Sequence, residues 1–104
     1  MKKPVIVREE AEADLSEAYQ WYEKQVHGLG SDFLLCVAAV IASIERNLYL
    51  YPVVHKGVIW RSLTRRFPYG VFFVEGDRNI SVIAVAHAKR SPRVWRNLYD
   101  NDNI

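Results

Sequence analysis

The residues best suited to chemistry lie in the second half of the chain, in two cationic groups beside apolar, strand-like runs. His87 ends the run 80–86 and is followed by three cations and an indole. A second cationic group precedes the aromatic run that begins at Tyr69. The candidate site comprises Arg61, Arg65, Arg66, Tyr69, His87, Lys89, Arg90, Arg93 and Trp95. Guanidinium groups bind phosphates in bidentate pairs and aromatic rings stack on bases, so this set could bind an anionic partner.

His87 leaves two interpretations of this set open. Histidine exchanges protons near neutral pH, so His87 could act on a 2′-hydroxyl in metal-independent RNA cleavage. Lys89, Arg90 and Arg65 would then stabilise the negative charge of the reacting phosphate. In the alternative, His87 bonds a backbone carbonyl at the end of a strand, and Trp95 packs the last turn of the chain onto the sheet.

Other chemistries have little support in the sequence. The three histidines, His27, His55 and His87, are far apart, and no Cys or His pair has ligand spacing, so no metal is predicted. The five glycines form no phosphate-binding loop, so no nucleotide cofactor is predicted. Paired carboxylates occur only between residues 9 and 17, where we interpret them as the solvated face of a helix.

Charge is distributed unevenly along the chain. Residues 1–54 contain five Lys/Arg against eight Asp/Glu, whereas residues 55–104 contain nine against four. The first half therefore has a net charge of −3 and the second half +5. A polyanion or an acidic protein segment is a plausible partner for the basic half.

The length and the apolar runs limit the class of protein. The 104 residues suit one domain, which we predict to span 1–104. The first apolar stretch is too short for a signal peptide, and the run 33–42 is about half of the ~20 residues that cross a bilayer. A single cysteine, Cys36, lies in an apolar segment. We expect a cytoplasmic protein that does not insert into membranes.

Periodicity predicts one strand and two helices in the first half. Residues 5–7 form a short β-rich run, and a helix follows from Glu9 to a glycine stop at Gly28 and Gly30. The apolar stripe of this first helix is Ala11, Leu15, Ala18, Tyr22 and Val26. Ser31 or Asp32 is predicted to cap the second helix. The predicted core face of the second helix is Phe33, Val37, Ile41, Ile44 and Leu48, widened by Leu34, Ala38 and Val40.

Strand signals dominate the second half. Residues 53–57 are predicted as a loop, and strands are predicted over 58–64, 69–74 and 80–86, the last one central because it is almost wholly apolar. A short helix is predicted from Ser91 and Pro92. The fold is α+β, β-α-α-β-β-β(-α), with a helical hairpin packed on a mainly antiparallel four-stranded sheet. An up-down-up arrangement of the last three strands would bring both cationic groups to the same edge of the sheet.

Several segments in a fixed order resemble one known family. They are ADLSEA (13–18), WYE (21–23), Gly30 with Phe33, RRFPYGVFF (65–73), and IAVAH leading to RSPRVW (83–95). Over residues 5–96 the chain resembles the RelE/ParE superfamily, the toxins of bacterial type II toxin–antitoxin modules, often labelled plasmid stabilisation proteins. The resemblance implies the same β-α-α-β-β-β sandwich.

The resemblance implies two different activities. RelE-like members cut mRNA in the ribosome with Arg and Lys on the sheet and a late Tyr or His, whereas ParE-like members lack that set and inhibit DNA gyrase. Here Gly70 stands where a RelE-type arginine would follow Tyr69, and Trp95 stands in place of the late tyrosine. These departures favour a ParE-like toxin that binds gyrase or another macromolecule and is neutralised by an antitoxin. A RelE-type mRNA endonuclease using His87 and Lys89 is the alternative, and an inactive relic that only sequesters antitoxin is a third possibility.

Overall fold

The computed structural model of the chain describes residues 3–87. Four members of the candidate site, Lys89, Arg90, Arg93 and Trp95, and the predicted helix after Ser91 lie outside the described residues. In chain order, the elements are β1 (Val5–Val7), α1 (Glu9–Gln25), α2 (Leu29–Arg46), a 3₁₀ turn (Leu48–Leu50), β2 (Val53–His55), β3 (Ile59–Leu63), β4 (Tyr69–Glu75) and β5 (Ile80–His87).

The strands form one mixed sheet in the order β1-β5-β4-β3-β2. Strand β1 pairs with β5 in parallel, and the other neighbours are antiparallel. The α+β prediction and the central position of β5 are therefore confirmed. The described sheet has five strands rather than four, because β2 lies where a loop was predicted. It is three residues long, too short to show an alternating pattern, and Lys56 and Gly57, both with positive φ, turn it into β3.

The two helices pack as a hairpin on one face of the sheet. From the predicted stripe of α1, Ala11, Ala18 and Tyr22 are buried. Val26 is 60% exposed, because α1 ends at Gln25 and Val26 has extended backbone. The buried residues of the predicted α2 face are Phe33, Val37, Val40 and Ile44, with Leu48 buried from the 3₁₀ turn. Leu34 and Ala38 are exposed, so the predicted widening of this face was wrong on that side.

The cap of α2 differs from the prediction. The helix begins at Leu29, before Ser31 and Asp32, and its N-cap is Gly28 with φ of 88°. The carboxylate of Glu23 accepts hydrogen bonds from the backbone N–H groups of Gly28 and Gly30, at 3.1 and 2.9 Å. These bonds lower the pKa of Glu23 below its ordinary value of 4.5. A residue at the end of α1 thus occupies the positive end of α2.

Both faces of the sheet are buried, as the apolar character of 80–86 predicted. Along β4, Val71 and Phe73 belong to the core under the helices, whereas Phe72 and Val74 belong to a second cluster on the opposite face. A bulge between Phe72 and Phe73 shifts the register with β5, so Ile83 has no partner in the β4 ladder. None of the helices within residues 3–87 is long and apolar enough to cross a membrane.

Candidate functional site

Tyr69 and His87 form the first residue pair of the β4–β5 ladder. Their rings meet edge to face with centroids 5.4 Å apart. Tyr69 packs against Tyr22 of α1 and Phe33 of α2, so this pair lies on the face that the helices cover. Two residues that the sequence placed at one edge of the sheet are therefore neighbours.

A cleft of about 620 Å³ opens between this end of the sheet and α1. We call it the α1 cleft. Its lining residues are Asp14, Glu17, Ala18, Gln20, Trp21, Tyr22, Lys24, Pro68, Tyr69, Val85 and His87. The helix contributes both carboxylates and the exposed indole, whereas the sheet contributes His87 and the phenol of Tyr69. The wall formed by α1 is thus acidic and aromatic, and the wall formed by the sheet is aromatic and contains the imidazole.

The length of β1 explains why α1 lies against β5 here. Strand β1 ends at Val7, opposite Val82, so the N–H of Val85 points past the end of β1. The carboxylate of Asp14 accepts that N–H at 3.0 Å. A side chain of the helix thereby completes the hydrogen bonding of the central strand, and it fixes the distance between α1 and the end of the sheet.

Helical spacing brings the α1 lining residues into one row. Asp14, Glu17, Trp21 and Lys24 follow i, i+3, i+7 and i+10, which is one side of a helix. The row lies beside the buried stripe that contains Tyr22. Trp21 meets the Tyr22 ring edge to face at 5.1 Å, yet it remains 57% exposed. An indole held by the core on one side and open to solvent on the other is typical of a contact surface.

Tyr22 links the cleft to the core. Its ring contacts Phe33, Phe67 and Tyr69, with centroids between 4.9 and 6.1 Å apart. Burial, and secondarily the neighbouring Tyr69 phenol, raise the pKa of Tyr22 above its ordinary value of 10.0. Tyr22 therefore stays protonated and neutral at physiological pH, and the packed rings form a rigid floor for the cleft.

The turn between β3 and β4 places two predicted arginines at this end of the sheet. Thr64 closes the turn, since its backbone N–H donates to Tyr69 O at 2.9 Å and its hydroxyl donates to Phe67 O at 2.8 Å. Arg66 has a φ of 71°, lies over the Phe67 ring at 5.5 Å, and forms an ion pair with Asp32 of α2 at 3.7 Å. Arg65 is exposed in the same turn.

Arg61 lies on the opposite face of the sheet. It pairs with Phe72 in the β3–β4 ladder, and Phe72 belongs to the second apolar cluster. The side chain of Arg61 lies over Gly70, where a Cβ would come within 3.4 Å of its Cγ and Cδ. Its Nε is buried and forms no hydrogen bond in the described part of the chain. The structure therefore brings Tyr69 and His87 together, places Arg65 and Arg66 at the same end of the sheet, and separates Arg61 from them.

Sequence reasoning did not select the α1 side of the cleft. Glu17 was interpreted as part of a solvated face, and Trp21 entered only as part of the family resemblance. The sequence does contain one indication for Trp21. It lies one position off the buried stripe of α1, so this large aromatic side chain is expected at the surface rather than in the core. Between residues 3 and 87, no three His, Cys, Asp or Glu side chains are grouped closely enough to hold a metal ion.

The fold has a counterpart among solved structures. A chain from the chromosomal ParDE TA system from P. aeruginosa superposes with a TM-score of 0.74. The match covers 83% of this chain and 96% of that chain, at 11% sequence identity. The two chains share one fold. This ParDE-system fold is the sandwich that the family resemblance implied, and that expectation is confirmed. No family model matches the sequence, and no curated protein matches it.

Proposed function

We propose that this chain is the toxin of a type II toxin–antitoxin pair, of the ParE-like kind, and that it stops growth by binding a macromolecular target. The observation that carries the proposal is the shared ParDE-system fold, which extends over nearly the whole length of the matched chain. DNA gyrase is the first target to test, because the ParE-like branch is the one that the sequence favours. A cognate antitoxin neutralises the chain, and both act in the cytoplasm.

The composition of the α1 cleft supports a binding protein over a ribonuclease. A nuclease that uses His87 must bring a phosphodiester to the imidazole and surround it with cations. The cleft that contains His87 instead carries the carboxylates of Asp14 and Glu17 on its helical wall. Two negative charges beside the reacting position would raise the energy of the phosphorane rather than lower it.

The proposed contact surface consists of basic and aromatic residues, some from the described part of the chain and some from the segment that follows His87. Tyr69 and the turn residues Arg65 and Arg66 present cations and an aromatic ring at the end of the sheet near the cleft. Arg90, Arg93 and Trp95 follow His87 in the sequence, and we assign them to the same target or antitoxin interface. Arg61 is assigned to a contact on the second face of the sheet.

Inducible expression tests the proposal. Expression of this chain alone should arrest growth, and co-expression with the product of the adjacent gene should restore growth and yield a complex of the two proteins. Growth arrest should coincide with gyrase-linked DNA damage and leave the 5′ ends of mRNA unchanged. Growth without arrest, together with no complex, would contradict the proposal.

Mapping of mRNA 5′ ends tests the alternative function, a RelE-type mRNA endonuclease. If the chain were a RelE-type nuclease, new 5′ ends would appear on induction and disappear in His87→Ala. His27→Ala is the matched control, because His27 is a fully exposed histidine in the turn between α1 and α2, where it pairs with Glu23. New 5′ ends that persist in His27→Ala and disappear in His87→Ala would show that the chain is a nuclease and would overturn the proposed binding function.

A further inference from the structure

The α1 wall of the cleft has an electrostatic character that a target made of nucleic acid does not explain. Helix α1 carries six carboxylates and one lysine. Two of those carboxylates, Asp14 and Glu17, line the cleft together with Lys24. A surface of this composition repels phosphate groups and attracts cationic side chains.

Within the described segment, no other residue compensates the charge of Glu17. It forms no hydrogen bond or ion pair with any other residue of the described segment 3–87. The cation in the same row, Lys24, is seven positions further along the helix, which corresponds to about 10.5 Å at 1.5 Å per residue. No ion pair joins the two side chains, and Glu17 is exposed, so its charge faces the solvent of the cleft.

Trp21 is the second component of a recognition site for a cation, beside the carboxylate of Glu17. Its indole follows Glu17 by four residues on the same side of α1, so the two side chains are neighbours. The face of a tryptophan ring attracts ammonium and guanidinium groups, and it also packs against their aliphatic stems. A carboxylate, an exposed indole and a floor formed by Tyr22 and Tyr69 together fit one long cationic side chain.

We propose that the α1 cleft receives a lysine or arginine side chain of the antitoxin, with its charged head at Glu17 and its stem against Trp21. The identity of the partner rests on the proposed function. Charge complementarity selects the occupant, because the acidic wall disfavours the phosphates of a nucleic acid. An antitoxin segment that fits the whole end of the sheet therefore carries acidic residues for the turn arginines and a basic residue for the cleft.

Affinity measurements on the complex test this inference. The probe is the purified product of the adjacent gene, titrated into wild-type chain and into variants by calorimetry. We expect Glu17→Gln and Trp21→Ala to weaken binding about tenfold each, and Glu17→Lys to weaken it about 100-fold, since it places a cation beside the incoming one. Glu12→Lys is the matched control, because Glu12 is an exposed carboxylate of α1 that does not line the cleft, and its affinity should stay within about twofold of wild type.

A charge exchange identifies the partner residue. Each Lys and Arg of the antitoxin is changed to Glu in turn, and one such variant should recover most of the affinity that Glu17→Lys loses. The melting temperatures of the Glu17 and Trp21 variants should lie within about 4 °C of wild type, so that lost affinity reports contact rather than unfolding.

The outcomes separate the two proposals. If the wild-type chain does not bind the adjacent gene product, the proposed function fails, and this inference fails with it. If the wild-type chain binds and the Glu17 and Trp21 variants bind equally well, only the inference fails. If Glu17→Gln instead strengthens binding of a labelled RNA or duplex DNA and leaves the antitoxin affinity unchanged, a nucleic acid is the occupant and the inference is also wrong.

Discussion

The two ends of the sheet use charged and aromatic residues in opposite ways. At the β4–β5 hairpin, Glu75 accepts hydrogen bonds from Lys3 at 2.8 Å and from the Tyr49 hydroxyl at 2.8 and 2.9 Å. Lys3 also donates to the carbonyl of Gly76 at 2.8 Å. We call this the hairpin end. At the other end, the α1 cleft exposes Glu17 and Trp21 to solvent.

The difference indicates which end stabilises the fold and which end meets partners. At the hairpin end, the ion pair and the Tyr49 bond join the segment before β1, the 3₁₀ turn and the hairpin, so their polar groups are used within the chain. At the cleft end, an aromatic side chain and a carboxylate remain available, although keeping an indole in water contributes nothing to folding. Substitution of the polar and aromatic side chains named here should therefore change stability at the first end and binding at the second.

The largest effect is expected from Gly30→Ala, which disturbs the packing that positions α1 over the cleft. A Cβ at Gly30 would lie 2.6 Å from the backbone oxygen of Tyr19, so the two helices must separate. We expect a loss of about 3 kcal/mol in the free energy of unfolding and a fall of roughly 12 °C in Tm, measured by thermal denaturation. Gly76→Ala at the hairpin end is the control, because its Cβ would lie 3.2 Å from Asn79 O and a small shift relieves the contact. Equal losses in both variants would show that close helix packing is not what distinguishes Gly30.

Two tryptophans allow a direct comparison of the ends. Trp60 is half-buried between Tyr49 and Phe73, with ring centroids 6.3 Å from each. We expect Trp60→Ala to lower the free energy of unfolding by about 2–3 kcal/mol. Trp21→Ala should lower it by less than about 0.5 kcal/mol, because the indole is mostly exposed. Chemical denaturation measures both, and a large loss of stability in Trp21→Ala would remove the reason to treat that indole as a contact residue.

Parts of the fold and of the candidate site could be predicted from the sequence. The stripe of α1 and the apolar run 80–86 predicted the core and the central strand, because burial imposes regular spacing on both. The cap of α2 was predicted wrongly, since Glu23 reaches it across the turn between the helices and local cap patterns do not include such a contact. The cleft depends on Asp14 meeting Val85, two residues 71 positions apart, and no local pattern encodes that distance.

Acid should weaken the cap of α2. The folded-state pKa of Glu23 lies below its ordinary value of 4.5, so the carboxylate adds stability at pH above that value. This contribution is lost as the pH falls through the lowered pKa. Glu23→Gln should therefore have a lower Tm than wild type at pH 7, and the two values should converge in acid. A Tm difference that stays constant from pH 7 to pH 3 would show that the charge of Glu23 does not stabilise the cap.

Glu75 should show the same sign of pH dependence at the hairpin end. Hydrogen bonds from Lys3 and then from Tyr49 lower its pKa, so its contribution is present above pH 4.5 and disappears as the pH falls through the lowered value. Glu75→Gln should reduce Tm by a few degrees at pH 7 and leave the affinity for the antitoxin unchanged. A loss of affinity in this variant would indicate that the hairpin end also meets the partner.

The smallest change in stability is expected from the turn arginines. Arg66 and Asp32 form an exposed ion pair, which contributes no more than about 0.5 kcal/mol. Arg65→Ala and Arg66→Ala should therefore unfold at nearly the wild-type temperature. Any loss of growth arrest in these variants then reports contact with the target, whereas full arrest in both would exclude the turn from the target interface.

Growth after induction of the wild-type chain, alone and together with the product of the adjacent gene, decides whether this chain is a toxin. We expect arrest when the chain is expressed alone and normal growth when both are expressed. Normal growth under both conditions would contradict the assignment of this chain as a toxin.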